Sequence, residues 1–176
     1  MKGLRTYLEK SRAKGVEKMR IIILIMTLLM MLGGCANEVA MLDERPDDFG
    51  FSVSYGIGGK QKIDTFENIV QKDLVADGTI EVELALTNED LDLVYEKMKE
   101  IPITKQLKLN DHCAVEPAPS SSWLIQYEHE EIELVYEGQC SAGMVAELYE
   151  LEEFIYRLVS EKEAYKRLPE ARGGYE

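Results

Sequence analysis

Three cysteines, two histidines and the run Ser120-Ser121-Ser122 are the residues of this chain best suited to nucleophilic or metal-binding chemistry. Their spacing argues against both. His112 and Cys113 are adjacent, without the C-x₂-C or H-x₃-H separation that lets two side chains reach one zinc ion, and His129 falls at the tip of an expected hairpin. No metal site is expected. There is no G-x-S-x-G and no H-E-x-x-H, and the serine run follows "PAP", which reads as loop polarity. Paired carboxylates are so common in an acidic chain that their presence discriminates nothing. No catalytic constellation emerges, so an enzyme is not expected.

Two other groups of side chains have a use. Cys113 and Cys140 bracket the expected hairpin, and in an exported chain two thiols point to one disulfide. Closing a loop of about 27 residues is worth about 3 kcal/mol in the chain-entropy model. A disulfide also leaves no thiolate for a catalytic Cys–His pair. The aromatic residues Trp123, Tyr127 and Tyr136, with Tyr55, are candidates for stacking sugars or peptides on an open sheet face. The competing reading is that they form the packed face beneath the helices.

Cys35 is a separate case. It ends "RIIILIMTLLMMLGGC", in which Ile21 to Leu32 is interrupted only by Thr27. Twelve helical residues span about 18 Å against about 30 Å of bilayer hydrocarbon, too short to cross but suited to the apolar core of a secretory signal. Lys18 and Arg20 supply the positive flank. Leu32-Gly33-Gly34-Cys35 resembles the lipobox of bacterial lipoproteins. That resemblance implies that the Cys35 thiol accepts a diacylglyceryl group and that cleavage after Gly34 makes Cys35 the first residue. Acyl chains such as palmitate contribute about 0.8 kcal/mol per buried methylene, and more than one chain gives stable anchoring. The expected place is the extracytoplasmic face of the cell membrane, with the covalent lipid as the single non-protein group. "KGVEKM" can be encoded with a purine-rich ribosome-binding tract ahead of Met19, so residues 1–18 read as a mis-called upstream extension or a long n-region, and 19–34 as the signal peptide.

Charge is split in the way a sorting signal requires. Residues 1–34 hold seven basic and two acidic side chains, leaving −18 on the remainder of a chain whose net charge is −13. So acidic a body argues against nucleic acid, whose phosphates need Lys and Arg to displace counterions, and against a domain lying flat on anionic lipid.

These residues have to be positioned by the following elements. Residues 35–48, with Asp43, Glu44, Asp47 and Asp48, read as a lipidated cysteine and a flexible acidic tether, lacking the alternating acids of a calcium loop. In "FSVSYGIGGK" the side chains of Phe51, Val53, Tyr55 and Ile57 alternate with serines, which predicts a strand closed by a Gly58-Gly59 turn. "KQKIDTFENIVQKDL" predicts a second strand with an irregularity between Ile63 and Phe66, and "TIEVELAL" a third. Thr87 and Asp90 form a capping-box start for a helix whose apolar stripe is Leu91, Val94, Met98 and Ile101, stopped by Pro102. "PITKQLKLNDHCAVEPAPSSS" reads as the longest loop. "SWLIQYEHEEIELVYEG" predicts a hairpin with Trp123, Ile125 and Tyr127 on the face shared by Ile132, Leu134 and Tyr136. A last helix places Met144, Leu148, Leu151, Ile155 and Leu158 at helical intervals and runs to Pro169, with 169–176 as a tail.

The expected fold is α+β: one domain over 49–168, an antiparallel sheet of about five strands in the order βββαββα, with two helices on one face. The frame "FSVSYGIGGK…DTF…QKD…DGT", "L..VYEKMKEI" and "YKRLPEARGGYE" resembles small lipoproteins of Bacillus-like bacteria. The resemblance implies compartment and fold continuity and transfers no activity and no site residues. The functional expectation is a lipid-anchored, non-catalytic domain that binds an envelope protein or wall polymer. The alternative is an inhibitor or immunity-type protein that blocks an envelope hydrolase through the Cys113–Ser122 loop.

Overall fold

The computed structural model describes residues 41–103, 106–110 (backbone), 117–138 and 143–175. The lipobox with Cys35, His112, Cys113 and Cys140, and with them the expected disulfide, lie outside the described residues.

The chain is α+β, with seven strands in one sheet. In chain order these are β1 (Gly50–Tyr55), β2 (Gln61–Asp64), β3 (Ile69–Asp73), β4 (Thr79–Glu83), helix α1 (Asn88–Lys99), β5 (Gln106–Asn110), β6 (Ser120–Tyr127), β7 (Glu130–Glu137), α2 (Met144–Ser160) and the short α3 (Glu163–Lys166). The spatial order is β4-β3-β2-β1-β6-β7-β5. Six strands are antiparallel, and β5 adds to the edge parallel to β7.

Two strands differ from the sequence reading. The expected second strand is a hairpin, β2 and β3, because Asp64 builds a turn where only an irregularity was expected. Its Oδ1 accepts the backbone N–H of Phe66 and of Glu67, both at 3.0 Å, and Asn68 takes the left-handed conformation with φ 55°. The expected long loop contains β5, whose short "QLKLN" alternation is ordinary for a partly paired edge strand. The last helix also ends earlier than expected. It closes at Ser160, and Lys162 starts a separate turn before Pro169 is reached.

One face of the sheet carries the core. Phe51, Val53, Ile63, Val70, Trp123, Ile125, Leu134 and Tyr136 point to the same side and are buried against Val94, Tyr95 and Met98 of α1 and Leu148, Leu151, Ile155 and Val159 of α2. Each fully buried large apolar side chain contributes about 1.5–3 kcal/mol. α1 starts as its sequence dictates. The Thr87 hydroxyl accepts the Asp90 N–H at 3.2 Å, and the Asp90 carboxylate accepts the Thr87 N–H at 2.9 Å. Asp90 also takes Lys162 at 2.5 Å, which ties the start of α1 to the joint between α2 and α3.

The described part of the acidic tether is docked on the domain. The Leu42 N–H donates to the Tyr127 hydroxyl at 2.6 Å, and the Tyr95 hydroxyl donates to the Leu42 carbonyl at 3.0 Å. Lys99 donates to the Asp43 carbonyl at 2.9 Å, Arg45 pairs with Asp92 at 2.5 Å, and Asp48 accepts the His129 N–H at 2.7 Å. The segment therefore meets α1 through Arg45 and the Leu42 and Asp43 carbonyls, and the β6–β7 turn through the Asp48 carboxylate. A sequence window without periodicity gives no sign of such contacts, because a strap needs partners and not a repeat.

Candidate functional site

The three aromatic residues first considered for ligand stacking are corrected by their burial. Trp123, Tyr127 and Tyr136 are 1%, 4% and 0% exposed, facing the helices, so their rings present no open platform. Tyr55 is placed differently. It ends β1, where the strand leaves the core, and it lines a cavity at the edge of α2.

That end of the sheet holds two adjoining depressions that share Gln61 and Tyr156 in their walls. The larger is a groove of about 530 Å³ whose walls include Ile57, Pro117, Pro119, Tyr156, Tyr165 and Tyr175. The smaller is a cavity of about 240 Å³ lined by Tyr55, Gln61, Tyr149, Glu152, Glu153 and Tyr156. Five tyrosines thus converge from β1, α2, α3 and the C-terminal tail. Tyr156 and Tyr165 meet edge to face with ring centroids 6.0 Å apart, and Lys72 lies over the Tyr165 ring at 5.1 Å.

The tail forms one wall because it is pinned to the β3–β4 turn. Arg172 makes a two-pronged pair with Asp77, at 2.7 and 2.8 Å, and its backbone bridges Val75. The Tyr175 hydroxyl donates to Asp73, and Lys60 sits over the Tyr175 ring at 4.9 Å. Val75 itself has φ 61°, a strained conformation for a β-branched residue.

Glu152 forms the floor of the smaller cavity and is 5% exposed. Its Oε1 accepts the Tyr136 hydroxyl at 2.6 Å and the Trp123 indole N–H at 3.1 Å, and the same N–H reaches the Tyr136 oxygen at 2.8 Å. Burial pushes the Glu152 carboxyl above its ordinary range, against the opposing pull of these hydrogen bonds. Burial likewise raises the Tyr55 and Tyr136 hydroxyls and takes Tyr149 up to about 12, so all three rings are neutral donors at ordinary pH. Ser121, opposite Tyr136 on β6, is buried with its hydroxyl close enough to Tyr136, Tyr149 and Glu152 to pull their pKa values down, though not in full hydrogen-bond geometry with any described residue.

A third depression, about 440 Å³ between α1 and α2, is lined by charged side chains including Lys97, Glu147 and Arg157. Its mixed-charge lining, acids and bases together, offers little that selects one sign of ligand. Among the described residues no group of three His, Cys, Asp or Glu side chains is arranged to hold a metal ion, and His129 sits at a hairpin tip paired with Asp48. No described helix is long and apolar enough to cross a membrane. Sequence reasoning missed Glu152, Tyr149 and Tyr156. The available signal was an acid on an apolar stripe, since Glu152 lies four residues after Leu148 and three before Ile155.

Comparison with known proteins finds no matching family profile, no matching curated protein and no matching solved structure.

Proposed function

We propose that this chain is a lipid-anchored, extracytoplasmic binding protein that works without catalysis and presents the tyrosine-lined groove to an envelope protein or wall polymer. The observation that carries the reading is the groove itself, where five tyrosines and two prolines converge on a concave surface of about 530 Å³ with its smaller neighbour. Aromatic walls with a few fixed polar groups suit peptide or saccharide ligands. The anchoring half of the reading rests on the Leu32-Gly33-Gly34-Cys35 sequence.

The arrangement of the domain supports the pairing of anchor and groove. β6 runs from the groove, where Pro119 precedes it, to Tyr127, which holds Leu42. Eight strand residues cover about 26 Å, so the strap that leads back to Cys35 meets the sheet at the end opposite the ligand groove.

The test is photo-crosslinking from a benzophenone amino acid placed at Tyr175 in the native lipoprotein, with palmitate labelling of the same cells. A discrete adduct from this position, absent from a probe at Val135 on the far sheet face, is the expected result, and Cys35→Ser is expected to abolish the label. A hydrolase as the captured partner would make the module an inhibitor. Identical adduct patterns from both positions would overturn the groove as the binding surface, and palmitate incorporation surviving Cys35→Ser would overturn the anchor.

A further inference from the structure

We propose that the smaller cavity is a pocket for a small organic cation, an alkylammonium or quaternary ammonium group, taken between the rings of Tyr55, Tyr149 and Tyr156 with Glu152 as counter-charge. The inference rests on the groove being a ligand-binding surface and names the chemistry that the adjoining smaller depression selects.

Three observations carry it. The lining is three tyrosines, two glutamates and one glutamine, with no basic side chain among them. Tyrosine faces carry the negative end of the ring quadrupole, so a lining of three such rings and two acids favours a cation and offers nothing to an anion. The volume, about 240 Å³, falls below the ~300–1,000 Å³ of pockets for drug-sized ligands and fits a head group rather than a whole polymer unit.

The second observation is how Glu152 is held. Both of its donors, Tyr136 and Trp123, engage Oε1, which locks the carboxyl plane. No cation pairs with Glu152 among the described residues, whereas the other buried carboxylates, Asp64 and Asp90, each hold a lysine. Without a counter-charge, burial holds this carboxyl toward its neutral form, and a cationic ligand supplies the partner that favours the ionised form.

The third is that the larger groove adjoins the cavity, with Gln61 and Tyr156 in the walls of both. Tyr156 is 37% exposed and stands at the shared rim, so a cationic group carried on a longer ligand can enter the cavity while the rest of the ligand lies along Pro119 and Tyr175.

The chain contains one tryptophan, and it hydrogen-bonds the proposed counter-charge, so its fluorescence reports on the pocket. The experiment titrates the detergent-solubilised full chain with choline and, in parallel, with the uncharged isostere in which carbon replaces nitrogen. Choline is expected to shift Trp123 emission saturably and to bind about tenfold or more tightly than the isostere, the difference expected of a desolvated cation in an aromatic site. Glu152→Gln, which preserves shape and both accepted hydrogen bonds, is expected to lower choline affinity about tenfold, and Tyr156→Ala severalfold. Equal binding of choline and isostere, no saturable response to choline, or unchanged affinity in both variants would overturn the proposal. If Glu152→Gln fails to fold, Tyr156→Ala at the exposed rim decides. The crosslink from Tyr175 reads the larger groove without a cation, so a specific adduct there with no choline response would end this inference and leave the binding surface standing.

Discussion

Glu152 is the residue at which this fold carries the largest chemical tension. Its carboxyl is raised in the folded protein, so the folded state holds its proton at pH values where the unfolded chain has released it. Stability linked to this group is therefore full below the ordinary glutamate range and declines as pH rises through the folded value. Glu152→Gln removes that decline. Urea unfolding is expected to show the variant gaining on the parent protein as pH rises from the ordinary glutamate range through the raised folded value. A constant gap across that range would mean that the carboxyl is not perturbed. Asp90 behaves in the opposite sense. Its carboxylate is lowered by Lys162 and by the Thr87 backbone and hydroxyl, though burial works against them, so its contribution is present above the ordinary aspartate range and lost as pH falls through the folded value. Asp90→Ala is expected to cost about 1–2 kcal/mol at neutral pH, measured by denaturant midpoint, and much less in strong acid. The Thr87–Asp90 box was legible in the sequence because it is local. The Lys162 partner was not, because a contact across 72 residues leaves no periodic trace.

At the scale of elements, strands and helices with an unbroken period were readable and short irregular pieces were not. β1, β4, the β6–β7 hairpin and α1 follow directly from alternation or from a cap, and the faces expected for Trp123, Ile125, Tyr127, Ile132, Leu134 and Tyr136 are the buried ones. The β2–β3 turn was hidden because Asp64, not glycine, makes it, with Ser52 and Lys62 holding the same carboxylate at 3.1 and 2.8 Å. The tyrosine-lined groove was hidden for a different reason. It is assembled from the ends of β1, α2 and α3 and from the tail, each contributing one or two tyrosines that look like ordinary amphipathic positions in isolation. The β3–β4 turn supplies a sharp test of that assembly. Val75 is in the left-handed region, which costs a residue with a Cβ about 1–2 kcal/mol and which asparagine tolerates better. Val75→Asn is expected to raise the melting temperature by a few degrees if the tail keeps its bridge to Arg172. A lower melting temperature would show that the valine side chain, which lines the groove, contributes more than its backbone strain removes.

For the whole molecule, the two ends of the described chain close on opposite ends of the same sheet. The Leu42 strap binds beside Tyr127, and the tail binds beside Asp73 and Asp77. Tyr127→Phe removes the oxygen that accepts the Leu42 amide, and hydrogen exchange at that amide is expected to accelerate by about tenfold or more while exchange in β6 is unchanged. An unchanged Leu42 rate would mean that the remaining contacts hold the strap by themselves. Sheet order has a further consequence, for the sequence in which the chain can assemble. β1 is central, yet its second neighbour is β6, with Val53 opposite Trp123 some 70 residues later. The first four strands form a meander of local hairpins, but half of the central strand's ladder stays open until the β6–β7 hairpin is made. The core thus closes late around a long-range pairing, which favours slow, cooperative folding. Until its last third has been made, the middle of the sheet has no partner on one side, so a partly synthesised chain stays open along β1.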